Sequence, residues 1–285
     1  MKKDITTKGL LEHGDVFVDI ANVNLFGGRP VLRPEDLESV PIESSYKDLQ
    51  GTHRTLMRDC LQKVHKLGSY IAFIGYENQT GISNIMPVRD MGYTYTAYMK
   101  QIREIMAENK QRGKPAYAKG IHDDQKLWPV ITGILYFSKE PWEKPLSLLD
   151  MLQVPEEEQD FWREMVGDYR IHVIPMVKQP QEVRDRYQSD FKIIADYLAC
   201  YDDKEQLVQM WKQNTYDLVH REQVWDTLYA FAGKERMKEM EELFMDEYEE
   251  EEAPFAGHGS IIEYIKGNGK RETANEKLSL SFWKN

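Results

Sequence analysis

Residues 70–76 (YIAFIGY) are almost wholly apolar, and this stretch most constrains how the chain can fold. A strand with one solvated face alternates apolar and polar residues, whereas a continuous apolar run is typical of a strand covered on both faces. Short apolar and β-branched stretches at residues 52–64 and 69–78 lie on either side of Lys66-Leu67-Gly68. The pattern predicts a β-hairpin whose second arm is a central strand.

Helical and strand patterns surround this hairpin. Pro87 favours the first turn of a helix, and the apolar residues that follow at helical spacing are expected to face the core. They are Met91, Tyr95, Met99, Ile102 and Met106, and the opposite stripe holds Arg89, Tyr93, Thr96, Lys100 and Arg103. Residues 128–137 and 169–174 predict two further strands, and a first helix is expected to end at Gly27-Gly28.

The chain changes character towards its C-terminus, where amphipathic helical patterns predominate. We expect a helical extension over residues 201–252 and a loose tail over residues 253–285. Residues 239–252 contain nine acidic residues and no basic ones. Such a run is typical of a solvated or interaction-prone segment, and an acidic helix end in water is the simpler interpretation.

The overall charge of −11 argues against nucleic-acid binding through bulk charge. Residues 47–126, however, contain thirteen Lys or Arg and eight Asp or Glu, so the middle of the chain could meet a polyanion. No apolar run approaches the ~18 residues of a membrane-spanning helix. Cys60 and Cys200 alone cannot form a disulfide framework or a zinc site. We expect a globular, cytoplasmic protein with no membrane partner, and its oligomeric state stays open.

Two carboxylates are expected to meet on the hairpin. A turn centred on Gly68 would place Asp59 directly across from Glu77, and Gln79 would share the face of Glu77 because side chains alternate along a strand. Like charges at that distance require a nearby cation or proton. Mg²⁺ held by carboxylates together with a substrate phosphate would supply the charge. The alternative is two solvated carboxylates at the open end of a hairpin.

Several blocks in this order resemble a known family. The blocks are Asp59, Glu77-Asn78-Gln79-Thr80, Met86-Pro87-Val88-Arg89 and WPVITGILYFSKEPWEKPLSLLDML at residues 128–152. Together they are similar to the PD-(D/E)XK nuclease family transposases, the group of Rpn-like recombination-promoting nucleases and YhgA-like transposases. The likeness covers about residues 4–200. It implies an α/β nuclease-like domain over residues 1–200, with a restriction-endonuclease-like core in which helices flank a mixed central sheet.

The resemblance also implies a site and an activity. Asp59 would be the acidic residue of the first motif and Glu77 that of the second, and the backbone carbonyl of Asn78 would complete a site for Mg²⁺, with Mn²⁺ as a substitute. The expected activity is DNA endonuclease cleavage of phosphodiester bonds, associated with recombination or mobile elements.

Gln79 stands where the wider superfamily has a lysine. A neutral amide can orient a water molecule but cannot lend positive charge to the developing negative charge. A catalytically silent relative that binds DNA or a protein is therefore the alternative function.

Three further residues are weaker candidates. Asp19, on the same face of the first helix as Asp15 and Asn22, could be another metal ligand, although an exposed polar face explains the spacing equally well. Arg89 and Tyr93 follow the second motif closely and could contact a phosphate or a base of DNA. Their alternative is an ordinary surface stripe.

Overall fold

The computed structural model describes residues 9–40, 43–47, 53–57, 60–76, 83–113, 121–200, 202–213, 218–233, 235–236 and 239. The chain divides into two compact units. The middle unit is Pro30–Met176, and the outer unit joins Met1–Arg29 to Val177–Asn285. The predicted divisions at residues 200 and 252 stay predictions.

Helices and strands follow each other along the chain in an α/β arrangement, as the sequence predicts. The described helices are α1 (Gly14–Leu25), α2 (Met86–Gln111), α3 (Gln159–Val166), α4 (Gln181–Arg184), α5 (Phe191–Ala199), α6 (Lys204–Gln213) and α7 (Arg221–Ala232). The described strands are β1 (Leu37–Ser39), β2 (Glu43–Lys47), β3 (His53–Met57), β4 (Cys60–Val64), β5 (Ser69–Tyr76), β6 (Val130–Tyr136) and β7 (His172–Pro175).

A five-stranded mixed sheet in the order β1-β4-β5-β6-β7 forms the middle unit. Strands β1, β4 and β5 pair antiparallel, whereas β6 runs parallel to both β5 and β7. The prediction of a central strand is confirmed, because β5 lies third of five and its consecutive residues Tyr70, Ile71 and Ala72 are all buried. Burial of neighbouring residues on a strand means that both faces are covered.

The first arm of the predicted hairpin, residues 52–64, is divided between two sheets. Of the two strands in this arm, β4 pairs with β5, whereas β3 pairs with β2 in a separate two-stranded sheet. The sequence pattern did not predict β1 or β2. Both are short, and β1 has three residues, too few for an alternating pattern to be recognised.

Helix α2 exists as predicted, but the prediction of its buried face is wrong. The buried residues include the polar Asp90, Thr94, Gln101 and Asn109, while Tyr95 is 63% exposed and Met106 is 43% exposed. Buried polar groups are stable only with hydrogen-bond partners, and this face has them. Gln101 bonds both backbone groups of Trp128, at 2.8 and 3.0 Å.

A second amide pair extends this attachment towards the end of α2. Asn109 and Gln125 exchange two side-chain hydrogen bonds of 2.9 and 3.0 Å. The polar face of α2 therefore holds the segment that leads into β6, which explains why polarity and burial coincide there.

The outer unit is helical in its described part, which confirms the predicted helical character of the C-terminal third as far as α7. Helix α1 contacts α5, and α5 contacts α6 and α7. Asn24, Gln179 and Tyr187 close a ring of three hydrogen bonds between the end of α1 and the segment around α4. The α1 helix ends near the predicted Gly27-Gly28, where both glycines have positive φ.

Two salt bridges hold the buried carboxylate of Asp196 on α5. Arg184 contacts it at 3.0 Å and Lys192 at 2.7 Å, and its side chain is fully buried. A buried carboxylate needs such partners because desolvation disfavours its charge. Among the described helices, none is long and apolar enough to cross a membrane.

The attachment of α2 through Gln101 can be tested by substitution. Gln101→Ala leaves the N–H and C=O of Trp128, a half-buried residue, without these partners, so it should lower the free energy of unfolding by about 2 kcal/mol. Urea denaturation measures the change. Gln111→Ala, at the exposed last position of the same helix, should stay within about 0.5 kcal/mol of the wild type. Equal unfolding midpoints for Gln101→Ala and Gln111→Ala would contradict the assignment.

Candidate active site

Cys60 and Tyr76, the chain neighbours of the predicted carboxylates Asp59 and Glu77, lie at the same end of the hairpin of β4 and β5. Strand β4 starts at Cys60, directly after Asp59, and β5 ends at Tyr76, directly before Glu77. Because the strands are antiparallel, the start of β4 and the end of β5 both belong to the open end of the hairpin. Asp59, Glu77, Asn78 and Gln79 themselves lie outside the described residues.

The register of the hairpin differs from the predicted one. A turn centred on Gly68 would pair Val64 with Ala72, but Val64 pairs with Ser69 and Cys60 with Phe73. The reason is the tight 3-10 turn at His65–Leu67, which Gly68 closes in the left-handed region at φ 54°. A residue with a Cβ is strained there, whereas glycine is not.

The observed register bears on the proposed meeting of the carboxylates. Residues directly opposite in a ladder share a face, so an unbroken continuation of these pairs would put residues 59 and 77 on opposite faces. A shared face requires a break in the alternation, such as a β-bulge, outside Cys60–Val64 or Ser69–Tyr76. The roles of Asp59, Glu77, Gln79 and the Asn78 carbonyl stay predictions.

Asp19, the weaker metal-ligand candidate, is a buried acceptor within the outer unit. Its Oδ2 accepts hydrogen bonds from the backbone N–H groups of Gln188 and Ser189, at 2.8 and 2.7 Å, and from the Ser189 hydroxyl at 2.7 Å. Burial raises the pKa of Asp19, although these hydrogen bonds act in the opposite direction. This carboxylate anchors the segment before α5, and its part in a metal site stays a prediction.

Arg89 and Tyr93 act on each other at the start of α2. The Arg89 Nε donates a 2.7 Å hydrogen bond to the Tyr93 hydroxyl one turn later. Tyr93 is 1% exposed and packs in the core with Met86, Ile134 and Tyr136. Its ring offers no face to a base in this arrangement, so its predicted part in DNA binding would act through Arg89. Arg89 is half-buried, and its own contact with DNA stays a prediction.

A buried carboxylate that the sequence did not single out lies beside Arg89. Asp90 is 2% exposed, and its Oδ2 accepts a 2.9 Å hydrogen bond from the Tyr169 hydroxyl, which also lies 2.9 Å from the Thr94 hydroxyl. Asp90 and Thr94 are one turn apart on the polar face of α2. The spacing was visible in the sequence, but a polar stripe on a helix ordinarily indicates the solvated side.

Two histidines of the outer unit also come together, although the sequence shows them as scattered. The rings of His13 and His220 stack with centroids 3.7 Å apart, and His220 Nε2 lies 2.9 Å from an oxygen of Asp15. The backbone N–H of His220 donates to Asp190. Burial and the neighbouring His220 lower the pKa of His13. This cluster attaches the start of α7 to the start of α1.

No protein-family model matches the chain, and comparison with curated proteins and with solved structures gives no match either. Within the part of the chain that the structure describes, no group of three or more His, Cys, Asp or Glu side chains could hold a metal ion. The predicted metal site therefore depends on Asp59, which directly precedes β4, and on residues 77–79, which directly follow β5.

The Asp19 anchor generates a prediction with a pH signature. Asp19→Ala removes the acceptor of three hydrogen bonds and should destabilise the protein by about 3 kcal/mol at pH 7. Asp19→Asn keeps an acceptor oxygen and should cost less. Because the folded-state pKa of Asp19 is raised, the folded state holds the proton more tightly than the unfolded state does. The wild type should gain stability relative to Asp19→Asn as the pH falls through the folded-state pKa.

Urea denaturation of the wild type and Asp19→Asn between pH 7 and pH 4 measures this difference. Glu222→Gln is the control, since Glu222 is an exposed acid in the first turn of α7. A wild-type advantage that shrinks on acidification would mean that the pKa of Asp19 is lowered on folding, which would contradict burial as the dominant effect.

Proposed function

We propose that this chain is a Mg²⁺-dependent DNA endonuclease of the PD-(D/E)XK type, associated with recombination or mobile elements. The observation that carries the proposal is the hairpin of β4 and β5, whose open end is adjoined in the chain by Asp59 on one side and Glu77 on the other. Two acidic residues that adjoin one hairpin end can converge on one ion, whereas acids at opposite ends cannot.

The fold around the hairpin supports this function at a coarse level. The resemblance implies a mixed central sheet flanked by helices, and the middle unit has a mixed sheet with α2 between its parallel strands β5 and β6. Helix α2 packs on the sheet through Met86 and Tyr93. A fold of this class is compatible with many activities, so the proposal rests on the residues of the hairpin end.

The donor groups at that end suit a hard divalent cation. The carboxylates of Asp59 and Glu77 and the backbone carbonyl of Asn78 are all oxygen ligands, which Mg²⁺ prefers. A bound ion would activate a water molecule for attack on phosphorus and stabilise charge on the phosphate oxygens. Asp59 and Glu77 would hold the ion, and the side chain of Gln79 would orient the attacking water through its amide.

Arg89 is the residue of this set best suited to a phosphate. A guanidinium can donate two parallel hydrogen bonds to phosphate oxygens, and such charge-assisted bonds are among the strongest in proteins. The bond from its Nε to the Tyr93 hydroxyl restricts its rotamers before DNA arrives. Tyr93 in turn is fixed by its burial in the core. We expect Arg89 to position the DNA backbone rather than to read bases.

The second candidate is a catalytically silent relative that binds DNA or a protein. Gln79 favours it, because the position lacks the positive charge that lysine supplies in the wider superfamily. The net charge of residues 47–126 suits the binding of DNA by either an active or a silent protein. Activity measurements on the variants below separate the two.

Plasmid nicking tests the carboxylates. Asp59→Ala and Glu77→Ala each remove a metal ligand and should lower the nicking rate at least about 100-fold in Mg²⁺ or Mn²⁺ while leaving the thermal melt intact. EDTA should abolish wild-type nicking. Glu108→Ala is the matched control, an exposed acid on α2, and should nick at the wild-type rate. Nicking that survives Asp59→Ala would remove that residue from the site.

Gln79 decides between the active and the silent protein. In an active enzyme Gln79→Ala should slow nicking by misplacing the water, whereas Gln79→Lys should keep or increase the rate because it restores a cation beside the developing charge. The same plasmid assay measures both, with DNA binding followed separately by fluorescence anisotropy. Absence of nicking in every variant and metal, with DNA binding that Arg89→Ala weakens, would establish the silent alternative.

A further inference from the structure

Helix α3 has a surface that its own unit does not bury. Its eight residues include none that is buried, and Phe161, Met165 and Val166 are 55%, 65% and 46% exposed. Leu152, next to the 3-10 turn that contacts this helix, is 37% exposed. These four residues form the α3 patch. Eight residues are too few for a helix to be stable in water without tertiary burial. Burial of its exposed apolar residues against another protein surface would stabilise α3.

Helix α2 carries another exposed apolar surface of the middle unit. Val88, Met91, Tyr95 and Met106 are 48%, 36%, 63% and 43% exposed and recur at helical spacing. They form the α2 stripe, which lies on a different side of the helix from Gln101, the residue that bonds to Trp128. From Val88 to Met106 the stripe is about 27 Å long at 1.5 Å per residue. Between Tyr95 and Met106 the half-buried Met99 and Ile102 continue the stripe, and an exposed apolar surface of this length is typical of an interaction site.

The charges beside the two surfaces are opposite. Around the α3 patch the exposed acids are Glu156, Glu157, Glu158, Asp160 and Glu164. The one basic residue on α3, Arg163, already contacts Asp160 at 3.0 Å. Beside the α2 stripe, helical spacing places the exposed Arg103 and Lys110. The α3 patch and the α2 stripe are therefore complementary in charge, and both present apolar side chains that a contact would bury.

We propose that the α3 patch of one copy of this protein docks on the α2 stripe of a second copy. The contact packs Phe161 and Met165 on the part of the stripe between Tyr95 and Met106 and brings the acids of residues 156–164 towards Arg103 and Lys110. It joins two different surfaces, so it is heterologous, and each copy keeps one of each surface for a further contact or for a closed ring. The inference does not depend on the endonuclease activity.

A stripe paired with the same stripe of another copy is the competing arrangement. In that case the basic residues of both copies would face each other across an apolar seam, which opposes association. The heterologous contact removes this repulsion and also supplies burial for α3, which a stripe–stripe contact leaves exposed.

Sedimentation velocity of the full chain from about 1 to 100 μM, the range of weak to moderate affinities, tests the proposal. The wild type should associate with rising concentration, and more weakly as NaCl is raised from about 0.1 to 0.5 M. Phe161→Lys in the patch and Tyr95→Asp in the stripe should each weaken association at least about tenfold. Val219→Lys, at an apolar position of the outer unit that is 73% exposed, should associate like the wild type.

Mixing the two variants separates the arrangements. Phe161→Lys keeps an intact stripe and Tyr95→Asp an intact patch, so an equimolar mixture should form a dimer that neither variant forms alone. A stripe–stripe contact predicts that Phe161→Lys alone associates normally and that the mixture gains nothing. Thermal melts check folding, and Met165→Lys with Met106→Asp replaces any variant that fails to fold.

Three results would overturn the proposal. The first is a wild type that stays monomeric up to about 100 μM. The second is association that neither substitution weakens. The third is a mixture that does not restore the dimer. Association of either surface with a different protein, in the absence of self-association, would also assign these surfaces to another partner.

Discussion

The pairing of β5 with a neighbour on each side is the interaction on which the middle unit depends. The antiparallel neighbour β4 is reached through a tight turn, but a parallel neighbour can be reached only by a crossover connection. Helix α2 lies in that connection, and its polar face bonds to the segment that leads into β6. The pairing places β5 inside the sheet, where side chains packed on both sides of the sheet bury its two faces. It also places the start of β4 beside the end of β5, so the fold and the candidate site both depend on this strand.

The sequence predicts β5 and its neighbours well, because a continuous apolar run indicates a buried strand whichever strands it pairs with. Residues 128–137 were expected to form a strand and include β6, and the helix that starts near Pro87 exists. Periodicity alone could not identify the buried face of α2. Gln101 and Asn109 are buried because each bonds a particular loop group, and such a match between an amide and a distant segment has no signature in a single sequence.

The candidate site shows a similar division between what a sequence specifies and what it leaves open. The sequence identifies the acidic and amide residues near the hairpin end directly. The structure confirms that the strand ends beside Asp59 and Glu77 lie at the same end of the sheet. The register could not be read, because three residues of 3-10 turn before Gly68 shift every pair of the ladder. The role of Asp19 as an acceptor for Gln188 and Ser189 was equally hidden, since its partners are distant in sequence.

The ring of hydrogen bonds among Asn24, Gln179 and Tyr187 has a consequence for synthesis on the ribosome. Helix α1 is translated before the middle unit, but the segment that it contacts in the outer unit begins at Val177. The five described strands of the sheet are complete at Pro175, so the middle unit can fold while the later helices are still unmade. Throughout that interval α1, whose Phe17 and Ile20 are fully buried in the finished protein, lacks α5, the helix that it contacts there. The nascent chain therefore keeps apolar residues of α1 exposed to water until the helices after Val177 have been made.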